Sequence, residues 1–560
     1  MAYDLQDVHV PRIAGTPLKL VAGLLERSYT RWLLEGSILK DMGFPAFDAA
    51  HLEESPTALP LHGAGPAGPG TPVLLEEVAQ ATAPINKTPF RFWTVMDYAA
   101  AYREGRHTPV QVATRVVEAL EQSEDLTPPL RAMLSYDIEE IMTLARASTA
   151  RFEQGAPRGI FDGVPVAVKD EFHQAGYPTT VGTSFLGREP QSEDATVVQR
   201  FRDAGAILIG KANMHEIGIG VTGINPHHGP ARNPYDPTCF TGGSSSGSAA
   251  SVAAGLCPVA IGADGGGSIR IPAGLCGGVG LTATFGRIRE PGAAPLCWSL
   301  AHAGPIAGSV QDTALAYALM AGPDPLDPLS LNQPTPRLDS LDNTDLRGIK
   351  VGIFKDWFEH AEPDVVRACY DAVNALEEQG AIVVPIEISE LDLMRIAHGI
   401  LITSEMSAAM EPHFEHHRKE FGFDVRINLG LARRFPAGKY VKGQQVRNRA
   451  MAQFEKLLKE VDVIASPTTA CTSGPISEDA LAHGESDLGL LTKVMRFAVV
   501  GNLTGLPCIS VPAGYDQRGM PVGFQLMGRA FEEHTLLRLG RVVEGAATPR
   551  RPKVYFDLLS

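Results

Sequence analysis

Residues Thr241–Gly280 hold two glycine- and serine-rich clusters, and this stretch most constrains what the chain can fold into. The clusters, Gly242–Ser248 and Gly265–Ser268, enclose a segment whose pattern predicts a helix followed by a strand. Glycine permits tight turns and close backbone approach, and such turns expose backbone N–H groups. Serine adds a hydroxyl that can act as a nucleophile or as a hydrogen-bond donor. Two such turns, brought together by a fold, would be able to form an acyl-transfer site.

The first cluster contains a familiar nucleophile pattern. Gly243–Gly247 matches G-x-S-x-G, the nucleophile elbow of α/β-hydrolases, which would make Ser245 the nucleophile of a Ser-His-Asp hydrolase. That elbow needs a hydrophobic strand before it, but Asn233–Phe240 contains two prolines and has mixed polarity. The sequence therefore disfavours Ser245 as the nucleophile.

The second cluster is the better candidate for chemistry. Val259–Asp264 has the pattern of a strand that ends at this cluster. Three glycines then predict a turn whose N–H groups can point at one spot: Gly265, Gly266 and Gly267. Ser268 follows at once, and a nucleophile beside a run of backbone donors is what an oxyanion hole requires. A purely structural turn or a phosphate nest stays open, although no G-x-x-x-x-G-K-[ST] pattern is present.

A lysine follows the apolar strand pattern at Val164–Val168. Lys169 can reach solvent from the end of such a strand, which is the interpretation that spacing alone favours. Alternatively Lys169 is desolvated, in which case burial disfavours its ammonium form and lowers its pKa, so that the amine acts as a base near neutral pH. The local sequence does not choose between these two interpretations.

From Phe90 onward, predicted strands and helices alternate, which is typical of an α/β protein. Further strands are predicted at residues 206–210, 350–354, 382–386, 461–465, 508–511 and 521–527. Residues 390–460 are predicted to be mostly helical. We therefore expect one catalytic domain over residues 91–560 with a helical insertion around residues 390–460.

Residues 1–90 are predicted to form an N-terminal helical extension and a linker. Leu18–Leu39 has the periodicity of an amphipathic helix or two, and Ser55–Pro72 is rich in Pro, Gly and Ala, as in an extended linker. We favour packing of the apolar face of Leu18–Leu39 on the main domain. Contact with a membrane surface or with a second subunit stays open.

Composition and charge exclude several classes of partner. With a net charge of −15, the chain would not bind a nucleic acid by charge alone. The seven cysteines include no CxxC pair, and neither a signal peptide nor an apolar run of transmembrane length is present. We expect a protein that is not secreted and that is cytoplasmic or peripheral on an intracellular membrane face. His413 and His417 lack a surrounding HExxH pattern, so we expect no metal and no cofactor.

Three motifs, in this order, resemble those of the amidase signature family: Lys169 at a strand end, GGSSSGSAA at Gly242–Ala250, and DGGGSIRIPAGLCG at Asp264–Gly277. The first serine of the second motif and the serine of the third are 24 residues apart, which is the family's spacing. The resemblance covers about residues 95–545. It implies an α/β fold with a large mixed, twisted β-sheet covered by helices on both faces.

The resemblance also implies a catalytic role for each matching residue. Ser268 corresponds to the nucleophile that forms the acyl-enzyme, and Ser244 to the bridging serine, whose peptide bond is cis in the family. Lys169 corresponds to the catalytic lysine. The family thus implies a Lys-Ser-Ser triad in place of a Ser-His-Asp triad.

The residues around the nucleophile have implied roles as well. The oxyanion hole corresponds to the backbone N–H groups of Gly265, Gly266, Gly267 and Ser268. Asp264 and Arg270 flank the nucleophile, and we interpret both as structural support. Ala263 stands where relatives more often have Thr, a change that is expected to loosen a local hydrogen bond and to leave the catalytic positions intact.

Within the family, Phe90–Ala113 and Gly210–Gly223 resemble the plant-type fatty acid amide hydrolases. This subgroup implies lipid metabolism, a lipophilic small-molecule substrate and hydrolysis of N-acyl amides such as N-acylethanolamines. Residues 390–460 match no family motif closely and are expected to contribute to the acyl pocket. We expect a homodimer, with the N-terminal helical region as the candidate surface for peripheral membrane contact. Short or aryl amides, esters and carbamates are alternative substrates, and a glutamine amidotransferase subunit is a weaker alternative.

Overall fold

A mixed β-sheet of eleven strands is the frame of the chain in the computed structural model. The structure describes residues 3–27, 30, 32–63, 90–288, 290–331, 333–338 and 340–560. Numbered along the chain, the described strands are β1 Ile13–Ala14, β2 Met133–Ser135, β3 Pro165–Lys169, β4 Ile207–Ala212, β5 Arg232–Asn233, β6 Asp236–Phe240, β7 Val259–Asp264, β8 Val279–Thr282, β9 His302–Ala307, β10 Lys350–Ile353, β11 Ile382–Pro385, β12 Val463–Pro467, β13 Glu485–Ser486, β14 Cys508–Tyr515 and β15 Pro521–Gly528.

The large sheet has the strand order β11-β10-β12-β15-β14-β8-β9-β7-β3-β4-β2. Parallel pairs lie toward both ends, where β10 pairs with β11 and β12, and β3 pairs with β4 and β7. The strands from β12 to β7 are antiparallel neighbours, as are β4 and β2. Every strand predicted from an apolar run is confirmed, whereas β2, β8 and β9 were not anticipated.

The described α-helices, also numbered along the chain, are α1 Gly15–Glu26, α2 Trp32–Asp41, α3 Phe44–Ala49, α4 Val95–Arg103, α5 Pro109–Asp125, α6 Ile138–Glu153, α7 Thr196–Asp203, α8 Ser246–Ala253, α9 Arg270–Leu275, α10 Val310–Met320, α11 Lys355–Phe358, α12 Pro363–Glu378, α13 Leu391–His417, α14 Phe423–Ala432, α15 Ala437–Glu460, α16 Glu478–Leu481, α17 Leu488–Met495, α18 Val499–Thr504 and α19 Glu533–Ala546. The helix and strand predicted between the two glycine clusters are α8 and β7.

Helices cover both faces of the sheet, as the neighbours of β14 show. Consecutive residues of a strand point to opposite faces. A Cβ placed on Gly540 of α19 would lie 3.3 Å from Ile509 Cδ1, whereas one on Gly274 of α9 would lie 3.1 Å from Ser510 Oγ. Since residues 509 and 510 are consecutive in β14, α19 and α9 pack on opposite faces. The predicted fold class is therefore confirmed.

The first N-terminal helix packs on the main body of the chain. Leu18 and Leu25 of α1 are buried in one apolar cluster with Ile427 of α14. This is the packing that the sequence analysis favoured for the amphipathic segment. That segment forms two helices, α1 and α2, and the side chains of Trp32 and Leu33 lie outside the described residues.

The start of the predicted linker is also held against the body. Arg447 donates a hydrogen bond to the carbonyl of Ala58, and His62 Nε2 lies 2.7 Å from the carbonyl oxygen of Thr504. Residues 64–72 of the predicted linker lie outside the described residues. The described part of the linker therefore lies along the helical region.

The residues predicted as a helical insertion form α13, α14 and α15. α13 packs against α15 and against α18, which places it between the N-terminal helices and the sheet edge that carries the second glycine cluster. None of the helices in the described ranges combines the length and the apolar character needed to cross a lipid bilayer.

Candidate active site

Two parallel strands bring the lysine and the second glycine cluster to one edge of the sheet. β3 ends at Lys169 and β7 ends at Asp264, and they pair in parallel with Val168 opposite Ile261. Because neighbouring parallel strands end at the same edge, Lys169 lies beside the turn that follows Asp264. Lys169 is only 1% exposed. The fold therefore buries this lysine at the strand end, where its side chain does not reach solvent.

The Lys169 side-chain nitrogen connects the two glycine clusters. This Nζ donates to Ser244 Oγ at 2.9 Å and to the Ala263 carbonyl at 3.2 Å. The backbone N–H of Ser245 donates to the carbonyl of Ser268 at 3.2 Å. The Gly243–Ser244 peptide bond is cis. The two glycine- and serine-rich clusters are thus in direct contact, with the lysine beside them.

Glu171 is a partner of the lysine that the sequence analysis missed. Its Oε2 lies 2.8 Å from Lys169 Nζ, and the two side chains are 8% and 1% exposed. Glu171 lies in the turn that follows β3, which is closed by a hydrogen bond from the Phe172 N–H to the Lys169 carbonyl at 3.0 Å. The turn brings the carboxylate back to the lysine, and no motif in the sequence pointed to the pair.

Asp264 shapes the turn at the second glycine cluster. Its Oδ1 accepts a hydrogen bond from the N–H of Gly267 at 2.6 Å, and its Oδ2 accepts one from the N–H of Ile269 at 3.0 Å. The Gly267 N–H is therefore directed at the carboxylate. This corrects the predicted oxyanion hole, because Gly267 does not offer an open donor.

The other three N–H groups of the predicted oxyanion hole are open. Among the described residues, no acceptor takes a hydrogen bond from the backbone N–H of Gly265, Gly266 or Ser268. Unengaged backbone donors beside a serine hydroxyl are the arrangement that stabilises a developing oxyanion.

Asp264 and Arg270 form a fully buried ion pair, with Arg270 Nε 3.1 Å from Asp264 Oδ2. Asn502 Nδ2 donates to Asp264 Oδ1 at 2.9 Å, and Gln525 Oε1 accepts from Arg270 at 2.8 Å. Burial by itself would raise the pKa of the Asp264 carboxyl, but the Arg270 charge and the backbone donors outweigh burial and hold this pKa well below its usual range. The turn is thus built around a carboxylate. Asn502 and Gln525 carried no motif that sequence analysis could use.

His398 of α13 contacts the same turn. Its Nε2 lies 2.8 Å from the carbonyl oxygen of Gly265, and the side chain is 1% exposed. A Cβ placed on Gly266 would lie 2.7 Å from His398 Cε1, so the ring packs directly on that glycine. Burial lowers the pKa of His398 to about 4, which leaves the imidazole neutral at physiological pH. No feature of residues 390–460 had singled out this histidine.

Ser268 faces a cavity of about 200 Å³ whose walls are mostly apolar. Ile402 and Leu431 line it from the helical region, as the sequence analysis expected for this region. Val21 of α1 and Phe44 of α3 also line it, so the N-terminal segment contributes to the wall. This contribution was not anticipated, because no motif connects residues so far apart in the chain.

Comparison with known proteins agrees with this geometry. The Amidase family model matches residues 115–537. A fatty acid amide hydrolase of Medicago truncatula is 42% identical over 84% of this chain and 79% of that protein. The chain belongs to the amidase signature family. It is accordingly an amidohydrolase, as the three motifs predicted.

Further relatives extend the match over the whole chain and to solved structures. A fatty acid amide hydrolase of Arabidopsis thaliana is 37% identical over 100% of this chain and 96% of that protein. The X-ray structure of native peptide amidase from Stenotrophomonas maltophilia is 27% identical, covers 85% of this chain and 100% of its own, and has a TM-score of 0.71. The amidase signature fold is thus shared across most of the chain.

The geometry around Ser245 does not suit a nucleophile of this amidase. The residue is fully buried, and its hydroxyl donates to the Ala263 carbonyl at 3.1 Å. The Ser245 hydroxyl therefore joins α8 to β7 and offers no open face. The Ala263 carbonyl accepts hydrogen bonds from both Ser245 and Lys169. These two bonds use the backbone of residue 263, so they form with Ala in place of the more frequent Thr.

The histidines considered from sequence have ordinary packing partners. His417 stacks on Phe185, with ring centroids 4.6 Å apart. His227 is mostly buried, with its Nε2 2.9 Å from Glu216 Oε1. Within the described ranges, no group of three or more His, Cys, Asp or Glu side chains is placed to hold a metal ion.

Proposed function

We propose that the protein hydrolyses long-chain N-acyl amides, such as N-acylethanolamines, through an acyl-enzyme on Ser268. One observation carries the proposal: Ser268 stands between three open backbone donors and an apolar cavity. The relatives named as fatty acid amide hydrolases support this substrate class.

In the proposed acylation step, Lys169 acts as a neutral amine. It takes the proton of Ser244 Oγ, which in turn takes the proton of Ser268 Oγ, and the Ser268 oxygen attacks the amide carbonyl carbon. The carbonyl π electrons move onto oxygen, and the N–H groups of Gly265, Gly266 and Ser268 stabilise the resulting anion. Removing one such donor typically costs about 3–4 kcal/mol of transition-state stabilisation.

The tetrahedral intermediate then collapses and the carbon–nitrogen bond breaks. The proton held by Lys169 returns through Ser244 to the leaving nitrogen, so that a neutral amine departs. Water, deprotonated by the same pair, attacks the carbonyl carbon of the Ser268 ester. The bond from that carbon to Ser268 Oγ then breaks, the proton returns through Ser244 to Ser268 Oγ, and the carboxylic acid leaves. During these steps Glu171 stabilises the ammonium that Lys169 becomes, since an opposite charge favours the charged form.

The apolar cavity is proposed to hold the acyl chain. Each methylene buried from water contributes about 0.8 kcal/mol, which is roughly a fourfold gain in kcat/KM per carbon until the cavity is full. We expect kcat/KM to rise along a series of N-acylethanolamines from two to eighteen carbons. Ile402→Phe narrows the cavity and should shift the optimum to shorter chains, whereas Val441→Phe, at an exposed position, should leave it unchanged.

The nucleophile is identified by labelling with an alkyl fluorophosphonate and mapping the adduct by mass spectrometry. We expect the adduct on Ser268 and its loss in Ser268→Ala. Amide turnover retained by Ser268→Ala, or an adduct on another serine, would contradict the proposed mechanism. Turnover of short or aryl amides, esters or carbamates alone would contradict only the long-chain substrate. A requirement for ATP and a second subunit would instead indicate a glutamine amidotransferase.

We further propose a cytoplasmic homodimer that contacts membranes peripherally through its N-terminal helices. Leu20 of α1 is 63% exposed, which supports a surface that meets lipid. Because α1 also lines the cavity, a point variant tests this better than a deletion. Leu20→Glu should reduce co-sedimentation with phosphatidylcholine vesicles and leave turnover of a short soluble amide unchanged, and light scattering after size exclusion should give the mass of a dimer.

A further inference from the structure

We infer that His398 is a positioning residue of the oxyanion hole, which orients the Gly266 N–H by holding the Gly265 carbonyl. The inference deepens the proposed function and rests on it. It assigns a role in the reaction to a residue of α13, far in sequence from all three amidase motifs.

The hydrogen bond between the two residues has one possible direction. A backbone carbonyl only accepts, so His398 Nε2, 2.8 Å from the Gly265 oxygen, carries the proton and donates. With its pKa lowered to about 4 by burial, the ring is neutral, and its single N–H is the one used in this contact. The side chain is 1% exposed, so water does not compete for the carbonyl.

Holding the carbonyl also sets the direction of the next N–H. The peptide unit is planar and trans, so the C=O of one residue and the N–H of the following residue point in opposite directions. A hydrogen bond from His398 to the Gly265 oxygen therefore directs the Gly266 N–H away from His398. Glycine residues have access to many backbone conformations, so a group outside this turn is needed to fix the orientation of its peptide planes.

The packing of the ring supports the same role. A Cβ on Gly266 would lie 2.7 Å from His398 Cε1 and 3.0 Å from its Nε2, so the imidazole fills the space that a side chain would take. His398 thus restrains the peptide plane by a hydrogen bond and by direct contact with the following glycine. No other described group donates to the Gly265 carbonyl.

The preceding peptide is held in an equivalent way. Asn502 Nδ2 donates to the carbonyl of Asp264 at 2.8 Å, which directs the Gly265 N–H. Asn502 also bonds the carboxylate of Asp264 and accepts from Arg270, so its replacement would disturb the buried ion pair as well. His398 has no part in that pair and is the cleaner position to test.

The test compares His398→Phe, which keeps an aromatic ring but cannot donate, with His398→Gln and His398→Asn, which can. We expect His398→Phe to lower kcat roughly 10- to 100-fold, which is no more than the fall caused by removing one oxyanion-hole donor outright. The KM of this variant should stay within threefold of the wild-type value. At least one amide variant should recover most of this loss. His416→Phe, at an exposed position of the same helix, is the matched control.

A pair of inhibitors separates positioning from packing. An alkyl trifluoromethyl ketone forms a tetrahedral adduct with a reactive serine, and its Ki should rise in His398→Phe by the factor that kcat/KM falls. The Ki of the carboxylic acid product of equal chain length should change by less than threefold. Thermal unfolding of each variant verifies that it folds.

Wild-type kcat in folded His398→Phe, equal weakening of both inhibitors, or the same loss in all three variants would overturn the inference. Failure of the proposed function has a different signature, namely amide turnover that survives in Ser268→Ala. All His398 variants are compared on the best amide of the wild-type enzyme, so a different acyl preference does not affect the result.

Discussion

Lys169 Nζ lies 2.8 Å from Glu171 Oε2 in a site where both side chains are buried. The amine is thereby held between a carboxylate and the Ser244 hydroxyl, at the end of β3. Removing one partner of a buried ion pair leaves the other charge uncompensated, which typically costs about 3–5 kcal/mol. Glu171 therefore affects both the stability of the fold and the chemistry of the lysine.

Glu171→Gln should lower kcat at least roughly tenfold, because the ammonium formed during general base catalysis loses its counter-charge. The free energy of unfolding should fall by about 3–5 kcal/mol. Amide turnover and urea unfolding measure the two effects, and Glu189→Gln at an exposed position is the control. The double variant Lys169→Met/Glu171→Leu should be inactive but more stable than Glu171→Gln, because it leaves no unpaired buried charge. If the losses of unfolding free energy in the single variants simply add in the double variant, the pairing of the two residues is contradicted.

Ser244→Ala and Ser245→Ala should have opposite effects. Ser244 accepts from Lys169, so its replacement interrupts the proton path and should lower kcat by about 10²- to 10⁴-fold. Ser245 only joins α8 to β7, so Ser245→Ala should retain activity and lose about 1–2 kcal/mol of stability. Steady-state kinetics and denaturant unfolding of the two variants check this, and an inactive but stable Ser245→Ala would reverse the assignment.

Asp264→Asn should destabilise the second turn more than a typical surface change. The substitution removes the charge that faces Arg270. It also turns one of the two carboxylate oxygens, which accept from the N–H groups of Gly267 and Ile269, into an amide NH2 group. We expect a loss of about 3–5 kcal/mol in unfolding free energy and a fall in kcat. Asp345→Asn, in an exposed ion pair with Arg347, should change stability far less, because solvent screens the two charges. Equal stability of the two variants would show that the buried carboxylate is dispensable.

The stability of the protein should depend on pH through two buried histidines. Burial lowers the pKa of His302 and of His398 to about 4, below the usual value of about 6.5. At pH values between about 4 and 6.5, both histidines bind protons in the unfolded chain but not in the folded chain. Their contribution to the free energy of unfolding is therefore complete above about pH 6.5 and is lost as the pH falls toward about 4. The slope is at most about 1.4 kcal/mol per pH unit for each histidine.

His398→Phe isolates one of these two contributions. Urea unfolding at pH 7, 6 and 5 should show that the difference in unfolding free energy between wild type and variant shrinks as the pH falls. Parallel curves for the two proteins would mean that His398 titrates alike in the folded and unfolded states.

Much of the fold could be predicted from apolar runs. The runs that became β3, β4, β7 and β15 are strongly apolar, because buried strands need side chains that pack on two faces. The short strands β2, β8 and β9 were missed, since their small residues and glycines give no clear period. The helical region was recognised as helical, but its contacts with the sheet edge depend on packing that no local pattern records.

The sequence by itself determined which residues carry chemistry-bearing groups: Lys169, Ser244 and Ser268 stand in motifs whose order and spacing are legible without a structure. Only the tertiary structure decided how these groups are surrounded. The parallel pairing of β3 with β7 buries Lys169 beside the second turn, Asp264 turns the Gly267 N–H away from the open donors, and α13 brings His398 onto the glycines. A sequence motif reflects the local backbone conformation that its residues adopt. The burial of a side chain and the direction of a backbone N–H also depend on residues far away in the sequence.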